Sequence, residues 1–327
     1  MFRNSYDSDN TTFSPQGKLH QVEYALEAVK QGSAAIGLRS KTHAILLTLK
    51  RSTGELATYQ KKLIRIDDHV GIAIAGLTSD ARVLSNFMRQ QAMSSRMLYG
   101  RPIPVARIMQ GIADKAQNNT QQYGRRPYGV GFLVIGEDET GPHLFEFSPS
   151  GTSFEYYAHS IGARSQSAKT YLETNFESFE DADLPTLINH GLTALHDTLQ
   201  QDKHLSNLNT SIAIIGPPAP AAEGEDNVSS SGAAKRGSFR TWENAEIEGL
   251  LRAWRRSRGE PEEGPQEAEE AERLKRDQET HAGAGGVGVP AAAGGEAEGE
   301  GAASGASAGA AGGAPAPAAG SEDVNME

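Results

Sequence analysis

The chain of 327 residues carries 31 Lys and Arg against 42 Asp and Glu, a formal net charge of −11, nine His and no Cys. The missing thiol excludes a disulfide scaffold, a thiolate metal site and a cysteine nucleophile together. The negative balance excludes a strongly basic nucleic-acid binder, and no run of eighteen apolar residues exists to span a membrane.

The first residues, Met1-Phe2-Arg3-Asn4-Ser5, open no apolar stretch, so no secretory signal is expected and the chain reads as intracellular. Ser14-Pro15-Gln16-Gly17 has proline second and glycine fourth, the arrangement of a type I turn. A helix is predicted next, with Leu19, Val22, Leu26 and Val29 on one face and Gly32 ending it in a left-handed conformation. Residues 33–38 and 42–50, then 63–66 and 70–75 joined through Asp67-Asp68, read as strands spaced like antiparallel hairpins.

From Thr78 the period becomes helical. Ala81, Leu84, Phe87, Met88 and Gln91 form one stripe, with Thr78, Ser79 or Asp80 to cap it. Val105, Ile108, Met109, Ile112 and Ala116 mark a second helix. Strands are predicted at 129–136, 143–148 and 153–157, helices at 165–179 and 184–199, and a further strand at 210–216. Blocks of strands alternating with paired helices point to an α+β domain with an antiparallel core and helices outside.

Pro217-Pro218-Ala219-Pro220 then opens a small and polar stretch. Apolar patterning returns at Phe239 and Trp242, and at Ile247, Leu250, Leu251 and Trp254. Residues 217–236 are therefore read as an insertion inside a domain spanning 1–258. Residues 259–327 hold fifteen acids, three bases and no aromatic residue, so essentially the whole net charge lies there. That Gly/Ala/Glu-rich segment is expected to be a disordered acidic tail with an exposed helix at most over 265–280. Its Gly283 to Gly288 glycines imitate a dinucleotide fingerprint without the strand and helix such a site needs. The nine His show no metal spacing, and no cofactor or metal is expected.

Tyr6, Thr11, the run Phe13-Ser14-Pro15-Gln16-Gly17-Lys18-Leu19-His20-Gln21-Val22-Glu23-Tyr24-Ala25, and Ala28 resemble the N-terminal signature of the α-type subunits of the 20S proteasome. Gly76-Leu77-Thr78-Ser79-Asp80-Ala81-Arg82, Arg126-Pro127-Tyr128-Gly129-Val130-Gly131 and Ser160-Ile161-Gly162-Ala163-Arg164-Ser165 extend the likeness. It covers about residues 1–216 and resumes thinly at 239–254. The resemblance implies a four-layer αββα sandwich of the N-terminal-nucleophile hydrolase type, placed in a seven-membered α ring stacked on β subunits. It implies partners among other α subunits, β subunits and the C-terminal tails of activators, with no nucleic acid or membrane, in cytoplasm and nucleus.

Fold alone does not give activity, because the catalytic β subunits share it. Their nucleophile is a mature N-terminal threonine whose own amine is the base, assisted by an aspartate and a lysine. Here Ser33 falls at the nucleophile position, Leu49 at the aspartate position, and Lys62 is retained. With the Tyr6 to Ala28 segment still ahead of Ser33 there is no free amine. A non-catalytic structural and gating subunit is therefore expected over an active amidohydrolase or peptidase on the same fold. The resemblance further implies a gating cluster of Tyr6, Asp7, Pro15 and Tyr24, which as residues alone would read as packing aromatics and a turn. Ser8 stands where many α subunits have arginine. It also implies a pocket for activator C-termini bordered by Lys62 and Gly76, although Lys62 alone would read as a solvated strand-edge lysine. Arg252, Arg255, Arg256 and Arg258 fit either a nuclear import patch or the cationic end of a last helix.

Overall fold

Alternation along β1 (Ala35–Arg39) and β2 (Ala44–Leu49) governs the layering. Their residues are almost all buried because both faces of the pair are covered. The two strands pair antiparallel from Ala35↔Thr48 to Arg39↔Ala44. Ile45 and Leu47 point into one apolar cluster while Ala44 and Leu46 point into another, as the period of two requires. The computed structural model describes residues 6–51, 56–200, 204–217 and 238–259. All belong to the first of two units into which the chain divides, and the second, Lys275–Glu327, lies outside the described residues.

The remaining strands are β3 (Leu63–Asp67), β4 (Val70–Gly76), β5 (Val130–Asp138), β6 (Gly141–Phe147), β7 (Ser153–Glu155), β8 (Ala158–Ile161), β9 (Thr210–Ile215) and β10 (Arg240–Glu243). They form two five-stranded antiparallel sheets, ordered β10-β9-β2-β1-β8 and β3-β4-β5-β6-β7. Leu46, Ala73, Leu133, Leu144 and Ala213 fill the space between the sheets. Outside the second sheet lie α2 (Thr78–Tyr99) and α3 (Val105–Gln121), packed on Ile72, Phe132 and Val134. Outside the first lie α4 (Ser165–Asn175), α5 (Leu184–His196) and α6 (Ala245–Ser257). The architecture is thus the expected αββα sandwich, with three apolar seams between four layers.

At the end of the described domain, β10 extends the first sheet beside β9, and α6 buries Ile247, Leu251 and Trp254. The Trp254 indole N–H also reaches Thr193 Oγ1 at 3.0 Å, satisfying the one polar group such a ring brings into a core. Residues 218–236 of the expected 217–236 insertion, the expected 265–280 helix, the Gly283 to Gly288 glycines and the acidic tail beyond Gly259 lie outside the described residues.

Three local expectations are corrected. Gly32, after α1 (His20–Gln31), is extended at φ −62°, ψ 153° rather than left-handed. It is small for another reason: a Cβ there would collide with the backbone of Ala75 and Gly76, which pass alongside. The cap of α2 is Leu77, with no side-chain bond to the helix, because Asp80 is engaged elsewhere. Finally, residues 153–161 are two strands. Tyr156 N–H bonds Leu144 of the second sheet while Tyr157 carbonyl accepts Arg39 N–H of the first. The chain changes sheets between adjacent residues, and no glycine or proline marks the crossing.

Candidate functional site

Two features are built near the start of the chain. In the first, Asn10, only 3% exposed, donates Nδ2 to the carbonyls of Asn119 at 2.6 Å and Gln122 at 3.0 Å, tying the incoming segment to the end of α3. Ser14 carbonyl then accepts Gly17 N–H at 2.8 Å, closing the turn whose second residue is Pro15. Ser14 Oγ also accepts Lys18 N–H at 3.2 Å. Proline fixes φ there and leads the chain into α1.

From α1, the Gln21 side-chain amide donates to the Asp7 carbonyl, and the Tyr24 hydroxyl donates to the Asp7 carboxylate at 3.2 Å. Partial burial, then the hydrogen bond to the Asp7 carboxylate, raise the Tyr24 phenol above its usual value. Tyr6 and Tyr24 are 41% and 48% exposed, unlike core aromatics. The structure therefore joins Asp7 to Tyr24, carries Pro15 in the turn, and leaves Tyr6 on the surface. Asn10 and Gln21 are the participants that sequence reading missed. Neither belongs to an apolar period, and a buried asparagine looks like any other loop asparagine in sequence.

The second feature is a pocket of about 170 Å³ whose lining includes Gln31, Ser33, Arg51, Lys62, Gly76 and Thr78. Lys62 and Gly76 both border this cavity. Lys62 is not a solvated edge residue, being 4% exposed. Its Nζ donates to the Ser33 carbonyl, to Ser33 Oγ at 2.7 Å and to the Ala34 carbonyl at 3.4 Å. Burial first, and then the charge of Arg51, lower the Lys62 ammonium to about 7.

This arrangement is poorly suited to nucleophilic catalysis. Ser33 nitrogen lies in an ordinary peptide bond to Gly32, whose carbonyl accepts Ala163 N–H at 2.7 Å from the Ser160 to Ser165 turn. Leu49, at the position of the assisting carboxylate, donates its N–H to the Ala34 carbonyl and packs against the outer core. Ser33 Oγ accepts from Lys62, and the three acceptors around Nζ occupy the three donor positions of its ammonium form.

The other two quoted motifs meet in a clamp. Arg126 Nη1 and Nη2 bind the Asp80 carboxylate at 2.7 and 2.8 Å, and Gly129 N–H adds a third bond at 2.9 Å. The Arg126 hydrogen bonds, opposed by desolvation and helped by Gly129 N–H, hold the Asp80 carboxyl below the usual carboxylate range. Leu77 N–H bonds the Gly129 carbonyl at 2.9 Å, so the start of α2 and the start of β5 are fastened side by side next to Gly76. In the arginine run of α6, Arg255 is buried on the Leu205 carbonyl at 2.8 Å and Arg258 lies over the Trp254 ring. Arg252, Arg256 and Arg258 are exposed.

Two antiparallel sheets between helical layers form the sandwich that the resemblance implies, and Ser33, two residues ahead of β1, accepts from Lys62. Residues 29–215 match the family model described as proteasome subunit, and residues 6–28 match the model of the N-terminal signature of α-type proteasome subunits. The chain is 65% identical over 216 residues to the probable alpha type-6 proteasome subunit of Schizosaccharomyces pombe, covering 66% of this chain and 79% of that protein. The alpha type-1 proteasome subunit of Dictyostelium discoideum is 55% identical over 221 residues, 67% of this chain and 89% of its own length. The alpha type-6 proteasome subunit of Saccharomyces cerevisiae is 54% identical over 222 residues, 67% and 94% respectively. The chain belongs to the proteasome subunit family, in its α-type branch, the class that forms the non-catalytic rings of the 20S core. Among the described residues, no helix is long and apolar enough to cross a membrane.

Proposed function

We propose that this chain gates the 20S core particle and docks its activators, with no peptidase activity of its own, during ubiquitin-dependent protein degradation in cytoplasm and nucleus. In this reading its domain, residues 1–258 with the 217–236 insertion, takes one place in a seven-membered α ring. It lies against β subunits that carry the threonine-type endopeptidase activity, while residues 259–327 are dispensable for assembly. The observation that carries the reading is the closed nucleophile position: Ser33 has an acylated nitrogen, a leucine in place of the carboxylate and a lysine held as a donor.

The gating assignment is supported by the Asp7 to Tyr24 bond, which fixes the first described residues against α1 while leaving both tyrosine rings accessible to neighbouring chains. The docking assignment is supported by a pocket that holds Lys62 and Gly76 and has no carboxylate among its described lining residues. The test is to purify the tagged chain from its own cells and identify its companions by native mass spectrometry, then to compare activator-stimulated peptide admission with a Tyr24→Phe particle. The chain should travel with α and β subunits, and Tyr24→Phe should lower stimulated admission several-fold without loss of assembly. Stimulation unchanged by Tyr24→Phe would remove the gating role from this residue.

A further inference from the structure

A trough of about 540 Å³ opens between α4 and the crossing from β7 to β8, and it shares no lining residue with the pocket that holds Lys62. Its walls are mainly apolar, built from Tyr156, Tyr157, Leu172 and Phe176. The Tyr157 and Phe176 rings are 57% and 53% exposed. Two large open rings lining one concavity mark a recognition surface rather than scattered exposure.

The charges around the trough are unevenly matched. Behind its wall, Glu146 stands 3.1 Å from His159 Nε2, and the His159 ring is stacked on Tyr156 with centroids 4.1 Å apart. Burial opposes the Glu146 charge, but His159, Lys169 and Tyr156 outweigh it and hold the carboxyl below its usual range. Glu155, on the lining, is engaged by Arg39 and by His143 Nδ1, each at 2.8 Å. Lys169 differs. It lines the trough half-buried and makes no hydrogen bond or ion pair among the described residues, acting on Glu146 through its charge alone. Glu173, one turn further along α4, is exposed and does not take it. Lysine N-terminal to glutamate is the weaker order for such a pair.

We propose that this trough binds a small-molecule apolar carboxylate, the Lys169 ammonium pairing with the carboxyl group and the Tyr157 and Phe176 rings covering an aromatic or branched body. Concave, mainly apolar sites with few polar groups are the usual form of small-molecule pockets, and the volume falls within their range of about 300–1,000 Å³. A neutral guest would leave the ammonium desolvated without a partner. The nearby Glu146 and Glu173 carboxylates disfavour a second negative charge, so the guest is a monoanion.

The test uses assembled particles and 4-benzoylbenzoate, an aromatic carboxylate that photocrosslinks, with 4-benzoylbenzamide as its neutral control. Modified peptides are identified by mass, so those covering residues 154–159 and 165–177 of this subunit report the trough apart from every other site on the particle. The acid should label them saturably, and Lys169→Gln should raise its half-saturating concentration about tenfold or more. Lys169→Arg should restore part of the affinity, Phe176→Ala should weaken it, and the amide should label poorly and be indifferent to both changes at Lys169. Equal labelling by acid and amide, or label on these peptides that does not saturate, would overturn the proposal. So would half-saturation by the acid that either Lys169→Gln or Phe176→Ala leaves unchanged.

Discussion

Removing either partner of the Asp80 and Arg126 clamp should loosen residues 122–130, and the two removals should not add. Asp80 is nearly sealed, with 8% of its side chain exposed, whereas the Arg126 side chain is 64% exposed. Arg126→Ala leaves a buried carboxylate on the Gly129 amide alone. The full cost of breaking a buried pair is about 3–5 kcal/mol, but screening along the exposed flank of Arg126 reduces this to about 2–3 kcal/mol. Asp80→Ala instead orphans the buried Gly129 N–H, at about 1–3 kcal/mol, while the released guanidinium returns to water.

The double variant should therefore cost no more than about the larger single one. Hydrogen exchange on assembled particles, followed for peptides covering 122–130, should show exchange about thirtyfold faster in Arg126→Ala, equivalent to about 2 kcal/mol of local opening. The pH dependence has a defined sign. Because the folded Asp80 value is depressed, its contribution is complete above the unfolded value near about 3.9 and disappears as pH falls through the folded value. The gap between wild type and Arg126→Ala should close over that acid window. Strictly additive single costs, or unaltered exchange in Arg126→Ala, would refute the clamp.

Two further outcomes follow from the same packing. Asn10→Ala removes two hydrogen bonds to α3, about 1–3 kcal/mol of local anchoring, and should speed exchange over residues 6–13 while leaving α1 protected. Normal protection there would show that the asparagine is not the anchor. Trp254→Ala should cost about 3–5 kcal/mol and impair incorporation into particles, whereas deletion of 218–237 should be tolerated; the reverse ranking, read by native mass spectrometry, would mean that the domain does not close with β10 and α6.

Most elements were legible because their periods are clean. Leu84, Met88, Ile108 and Ile112 repeat at helical spacing and are fully buried, and β2 shows its two covered faces as a run that is apolar except for Thr48. The choice of a four-layer sandwich came from the resemblance of residues 6–28, since alternating blocks of strands and helices fit several α+β arrangements. What was illegible depends on contacts between distant positions. Gly32 is dictated by Gly76, Asp80 is taken from the helix cap by Arg126, and the sheet change at Tyr156 and Tyr157 is visible only once both sheets exist. The site divides the same way. Pro15 announces its turn, but nothing in Lys61-Lys62 says that the first lysine is exposed and the second is sealed onto Ser33.

The central claim, that the nucleophile position is closed, is tested most directly by treating purified particles with a covalent electrophile selective for N-terminal nucleophiles and identifying every modified residue by mass spectrometry. The account predicts label on β subunits and none on Ser33, in particles whose copy of this chain still carries residues 6–28 ahead of it. Stoichiometric label on Ser33 would contradict it.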